Sequence, residues 1–209
     1  MSRLTCNKEL LEYELFSSQT GLIAFSTTRK GGCSKGAYAT FNCSPYSGDD
    51  SAAVLQNLQH LGTLLPTFPV DWVIPHQVHG TSVLDVGQEY ADASQDTRRE
   101  MLEGVDALVT DRPGYCICVS TADCIPLLFY DIQRRVVAVA HAGWRGTVNR
   151  IAEKTLNHLE HRYGSRPEDV CVAIGPGISL EAFEVGVEVH EAFLEAGWAR
   201  GGRRCARRR

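Results

Sequence analysis

The stretch DALVTDRPGYCICVSTADCIPLLFYDIQRRVVAVAHAGWRGT, residues 106–147, decides the fold. Two turn signals, DRPG at 111–114 and DIQRR at 131–135, cut it into apolar runs of strand length rich in Val, Ile and Leu. Runs that dense read as strands buried on both faces. Around this block, residues 21–28 (GLIAFSTT), 70–75 (VDWVIP), 81–86 (TSVLDV) and 169–174 (DVCVAI) read as further strands. Ser51–Leu65 carries apolar residues at helical spacing behind two aspartates, with Ser51 as the cap candidate. Thr147 is the cap candidate for a second helix, from Val148 to about His161, and residues 179–196 end on a helical pattern with Ala182, Phe183, Val187 and Val189 as its apolar positions. Residues 88–104 (QEYADASQDTRREMLEG) are charged enough to read as a solvated loop. Strands and helices mix without strict βαβ alternation. The expectation is one α/β (α+β) sandwich domain over residues 1–199, a mixed β-sheet flanked by helices, with a basic, disordered tail at 200–209.

Length and composition agree with one domain. The 209 residues can close a core without disulfide staples, and 44% hydrophobic with 22% charged residues is ordinary for a globular chain. The longest apolar run, Cys124–Tyr130, falls well short of the roughly 18 residues of a membrane span. The opening MSRLTCNKELLEYELF lacks the apolar centre of a signal peptide, so the expected location is cytoplasmic, with no membrane partner. Six of the 21 Lys and Arg lie in the last ten residues, which leaves residues 1–199 with 15 basic groups against 25 acidic ones. An acidic body argues against nucleic acid as a specific partner. Eight cysteines are scattered without a CxxC pair, so a disulfide framework is not expected, and Cys43, Cys116, Cys118 and Cys171 lie among apolar neighbours where packing explains them.

Three residues stand at junctions between a buried strand and a loop: His79 in HQVHG, Cys124 in STADC and His141 in VAVAHAGWRG. One thiolate and two imidazoles suit an open zinc centre with three protein ligands and a fourth position for water or substrate. The same atoms could form a Cys/His nucleophile pair, with Asp123 or a backbone carbonyl orienting His141 and the thiolate attacking an amide carbon, as in hydrolysis of cell-wall precursors. The second imidazole favours metal, since a dyad needs one. A zinc-stabilised module without turnover is the remaining reading. His76 should face away from His79 on an extended segment. His60, His158, His161 and His190 fall on helical patterns, with His158 and His161 on a solvated face. Arg29, in the RKGG turn, and Arg145, at a helix entry, are candidate anion holders. No GxxxxGK[ST] or GxGxxG occurs, and GPGIS at 175–179 reads as a tight strand-to-helix turn.

The ordered motifs HQVHG, DALVTDRPG, VSTADCIPLLFYD, VAVAHAGWRGT and AIGPGIS, preceded by FSTTRKGGCS and FNCSPYSGDD, resemble the bacterial multicopper polyphenol oxidase or laccase-domain family, also described as purine nucleoside phosphorylases. The resemblance runs from about residue 24 to 189. It implies that His79, Cys124 and His141 hold one Zn2+, with Cu2+ as an alternative metal. It also implies phosphorolysis of adenosine, inosine and methylthioadenosine to base and sugar 1-phosphate, adenosine deamination, and a polyphenol oxidase activity on phenolic substrates. Nucleosides and phosphate are then the partners, with Arg29, Asn42, Asp123 and Arg145 as substrate-binding residues. A four-copper cluster needs several HxH pairs, and none of the seven histidines forms one. Oxidation would fall to a single copper on the His, Cys, His set. The chain departs from the family at its end, where relatives continue through further strands and this sequence stops in GWARGGRRCARRR.

Overall fold

The computed structural model describes residues 8–198, together with the backbone of a strand at Ser2–Leu4. The basic segment 200–209, expected to be disordered, lies outside the described residues. In chain order the strands are β1 (Ser2–Leu4), β2 (Leu10–Tyr13), β3 (Phe25–Thr27), β4 (Asp71–Val73), β5 (Val83–Asp85), β6 (Ala107–Thr110), β7 (Tyr115–Ile117), β8 (Ile125–Asp131), β9 (Val136–Ala142) and β10 (Val170–Ile174). The helices are α1 (Ser51–Leu64), α2 (Gln88–Asp92), α3 (Gln95–Met101), α4 (Trp144–Val148), α5 (Ile151–Tyr163) and α6 (Val187–Glu195).

The quoted stretch forms the heart of a five-stranded sheet in the order β10-β8-β9-β6-β5. Only β5 and β6 run parallel; the other pairs are antiparallel, so the sheet is mixed. The β8–β9 hairpin closes through DIQRR because Asp131 Oδ1 accepts the backbone N–H groups of Gln133 and Arg134, and Arg135 takes the left-handed conformation that brings its N–H to the Asp131 carbonyl. Every residue of β6 is buried, as its unbroken apolar run requires.

Alternation along β6 divides the core. Ala107 and Val109 join Phe129, Val136, Ala138 and Ala140 under Ile151 and Leu159 of α5. Leu108 points the other way, into a cluster with Val73, Val86, Tyr90, Leu102 and Val105. On that second face Tyr13 and Phe16 also cover Tyr130 and Ala173, which places the β1-β2-β3 sheet over β8 and β10. The result is the expected α/β sandwich with a mixed sheet flanked by helices.

Several local expectations change. Residues 88–104 are two short helices, not a solvated loop: Tyr90 and Leu102 are buried, Ser94 caps α3 by accepting the Thr97 N–H, and Arg98 donates to the carbonyls of Tyr90 and Ala91. Apart from Arg98, the charges of α2 and α3 are exposed and obscure a short apolar stripe. Asp50, not Ser51, caps α1, accepting from Ala52 and Ala53. Thr147 does not start a helix. The short α4 begins after Gly143, the chain breaks at Arg150 (φ +65°), and α5 starts at Ile151. The helical part of 179–196 is only α6, and of the four apolar positions named there only Val189 is buried. The strands expected at 21–28, 70–75 and 81–86 contract to three residues each, Phe25–Thr27, Asp71–Val73 and Val83–Asp85.

Candidate metal centre

Strand direction brings distant residues to one end of the central sheet. Cys124 immediately precedes β8, His141 lies near the end of β9, Asp106 immediately precedes β6, and the turn carrying His79 leads into β5. Antiparallel pairing sets Ile125 opposite Ala142 and Pro126 opposite His141, so the thiol and the imidazole come from neighbouring strands. The candidate ligand atoms of His79, Cys124 and His141 all lie within 4.8 Å of one another. The two imidazole rings meet edge to face, with centroids 4.7 Å apart.

The local backbone is shaped for this meeting. His79 adopts φ +60°, a left-handed conformation uncommon outside glycine. An ideal Cβ on Gly143 would stand 2.9 Å from Cδ2 of His79 and 3.0 Å from Sγ of Cys124, so a side chain there would fill the space between the ligands. The 175–179 loop is not a turn into a helix. It runs back over the Cys124 segment, where the Ile178 N–H donates to the Asp123 carbonyl and Gly177 sits against Ile125.

Electrostatics match ligation better than metal-independent nucleophilic attack. His79 is exposed overall, but partial desolvation of its ring and the neighbouring His141 lower its pKa against the opposing pull of Asp106, which favours the neutral form that ligates a metal. Burial, reinforced by Asp123 and Asp106, raises the Cys124 thiol, the opposite of what an unassisted nucleophile needs. Two imidazoles and a thiol are borderline-to-soft donors. They suit Zn2+ in a three-ligand open site and equally suit Cu2+, which this donor type also holds.

Asp106 is the residue that the sequence did not flag. It is fully buried and pairs with His141, Nδ1 to Oδ1 at 2.8 Å. Asp123, considered with a backbone carbonyl as the orienting group of a Cys/His pair, is exposed. Arg145 is exposed, with its guanidinium 4.4 Å from the Trp144 ring centroid, and its charge reaches His79. Arg29 donates through Nε and Nη2 to the Ala39 carbonyl, and Asn42 bonds Ser47 and Asp49, so both side chains brace the 29–50 loop. His76 turns away from the cluster to Glu103, as expected. His158 departs from expectation: it is half-buried rather than solvated.

The family model described as multi-copper polyphenol oxidoreductase laccase matches residues 23–208. A purine nucleoside phosphorylase of Bacteroides thetaiotaomicron is 50% identical over 198 residues, 95% of this chain and 73% of that protein. An adenosine deaminase from an unknown prokaryotic organism is 41% identical over 188 residues, 90% of this chain and 71% of its own. The crystal structure of YfiH from Bacillus licheniformis superimposes with a TM-score of 0.82 at 32% identity, covering 91% of this chain and 70% of that one. A family match over most of the chain, with relatives this similar over nine-tenths of it, settles its kinship: the chain belongs to the multi-copper polyphenol oxidoreductase laccase family.

Proposed function

We propose that the chain is a purine nucleoside phosphorylase that converts adenosine, inosine and methylthioadenosine to the free base and a sugar 1-phosphate, and that it also deaminates adenosine at the same single-zinc centre. The observation that carries this reading is the convergence of His79, Cys124 and His141 within 4.8 Å, in a chain half identical to a purine nucleoside phosphorylase. Likeness to an adenosine deaminase supports the second activity. No helix among the described residues is long and apolar enough to cross a membrane.

Phosphorolysis forms a bond from a phosphate oxygen to the anomeric carbon while the bond to the purine nitrogen breaks and the purine takes up a proton. The transition state resembles an oxocarbenium ion, as in glycoside cleavage. We assign the phosphate to Arg145, an exposed cation whose charge reaches His79, with Arg29 as the second cation. Asn42 and Asp123 are assigned to the nucleoside. Bound zinc supplies Lewis acidity at neutral pH. The chain's own contribution is to present the two imidazoles and the thiol together and to orient the substrate.

A second reading, phenol oxidation by a copper-loaded form, is favoured by the His, Cys, His donor set. The test is chromatography of products from adenosine incubated with zinc-loaded and copper-loaded protein, with and without inorganic phosphate. Adenine and ribose 1-phosphate formed only with phosphate are expected, with inosine in both samples. Unchanged adenosine in every sample, with phenol oxidation that tracks copper content, would reverse the order of the two readings.

A further inference from the structure

Asp106 sits at the head of β6 with no solvent exposure and receives four hydrogen bonds through two oxygens. Oδ1 faces the backbone N–H of His79 at 3.1 Å and Nδ1 of His141 at 2.8 Å. Oδ2 accepts the N–H of Gly80 at 2.7 Å and of Val78 at 3.2 Å. Three backbone donors aimed at one carboxyl favour its ionised form, which has no proton to give. The His141 contact can then run only one way, with Nδ1–H donating to Asp106. That tautomer leaves Nε2 of His141 with its lone pair free.

The same carboxylate acts on the other histidine through the backbone. The N–H groups of residues 78, 79 and 80 converge on it, and the middle residue is the one held at φ +60°. A non-glycine residue in that region persists only where its surroundings over-determine it, and the three bonds to Asp106 do so. One buried side chain therefore fixes the ring of His141 and the turn that aims His79. Its own acceptor capacity is filled, so it is not available as a general base for substrate.

We propose that Asp106 is a positioning residue that sets the tautomer of His141 and the turn of His79 so that both imidazoles present lone pairs to one metal ion. This rests on the metal-site reading above and extends it to a residue outside the ligand set. Asparagine is the informative replacement because it keeps the shape and exchanges one acceptor for a donor. Turned so that its oxygen meets Gly80 and Val78, its NH2 replaces the Oδ1 shared by His79 N–H and His141 Nδ1, so the His79 N–H loses its acceptor and the His141 ring must carry its proton on Nε2 to accept from the amide. The nitrogen meant for the ion is then protonated.

The test combines imidazole nitrogen NMR on the full chain after chelation with zinc competition titrations on wild type and Asp106→Asn. The expected wild-type result is a proton on Nδ1 of His141 and an unprotonated Nε2. In Asp106→Asn the assignment should reverse, and zinc affinity should fall by about 10–100-fold, the range for loss of a partner to a ligating histidine. A wild-type His141 protonated on Nε2 overturns the proposal, as does a folded Asp106→Asn that binds zinc as tightly as wild type. If the variant does not fold, the wild-type tautomer decides alone. Wild-type protein with the expected tautomer and no zinc affinity would instead sink the metal-site reading, and the two failures are distinguishable.

Discussion

A Cβ on Gly143 would lie 3.0 Å from Sγ of Cys124, closer than the 3.4 Å or more of ordinary van der Waals contact. The residue's own φ of −70° is open to any amino acid, so backbone strain plays no part in the requirement for glycine. Gly143→Ala should therefore fold normally and fail locally. Zinc affinity by competition titration should drop at least about tenfold, a scale set by the sensitivity of ligand geometry to its supports. The unfolding midpoint should stay close to wild type. Wild-type zinc affinity in the alanine variant would mean that the three donors do not close around the space beside Gly143.

Cys124→Ala removes the one soft ligand. Metal content measured by mass spectrometry and phosphorolysis of adenosine should be lost together, because a two-histidine remnant holds zinc weakly. Full turnover in a variant that has lost its metal would remove Cys124 from the proposed chemistry.

The expectation that Cys43 and Cys118 serve packing leads to a labelling experiment. Burial pushes the Cys43 thiol up to about 12, and the adjacent Cys116 thiol, with Sγ atoms 3.8 Å apart, together with burial keeps Cys118 protonated. Cys33 is exposed. Since the thiolate is the reacting form, a brief pulse of iodoacetamide at pH 8 should modify Cys33 and spare Cys43 and Cys118 in the folded protein. Equal labelling of all three by peptide mass spectrometry would contradict this placement.

The parts of the molecule legible in the sequence are those fixed by long apolar runs. Residues 106–142 read as buried strands because nothing but a sheet centre accommodates such a run at strand length, and His141 and Cys124 stood out as polar interruptions at its ends. Asp106 is an interruption of the same kind, at the head of ALVT, but its main partners are backbone N–H groups of residues 78–80, and backbone donors leave no mark in a side-chain pattern. The break before α5 was equally hidden. Arg150 takes a left-handed conformation while its guanidinium lies 4.3 Å from the Trp198 ring centroid and donates to the Ala196 carbonyl, so a contact from a distant segment accompanies the local turn. The helices at 88–101 were missed because only Tyr90, Met101 and Leu102 mark their inner side, too few for a period to emerge.

Leu159 tests the layer that supports the centre from below. It is fully buried on α5 against the β6–β9 side of the sheet. Leu159→Ala should cost about 2–5 kcal/mol of unfolding free energy through lost transfer energy and the cavity left behind. Urea denaturation measures it. A loss below about 1 kcal/mol, smaller than is usual for truncating a buried leucine, would argue that α5 does not pack on the sheet as described.

His158 gives the pH dependence a specific owner. Its Nε2 is buried without a hydrogen-bond partner, 4.0 Å from Asp85 Oδ2, and Asp85 is already engaged by Arg162 and the Tyr163 hydroxyl. Burial lowers the His158 pKa against the opposing pull of Asp85, and the neighbours Arg162 and His161 add to the lowering. The unfolded chain, with an ordinary histidine pKa near 6.5, then binds more protons than the folded one just below that pH. Stability is intact above about pH 6.5 and declines as the pH falls from there toward the lower folded value, where the loss levels off. His158→Gln lacks this proton uptake, while the carboxylates common to both proteins cancel in the comparison. The difference in urea midpoint between wild type and variant should move in favour of the variant on going from pH 7.5 to pH 5.5. Parallel profiles would show that His158 protonates as easily folded as unfolded, and that the buried Nε2 is accessible to a proton.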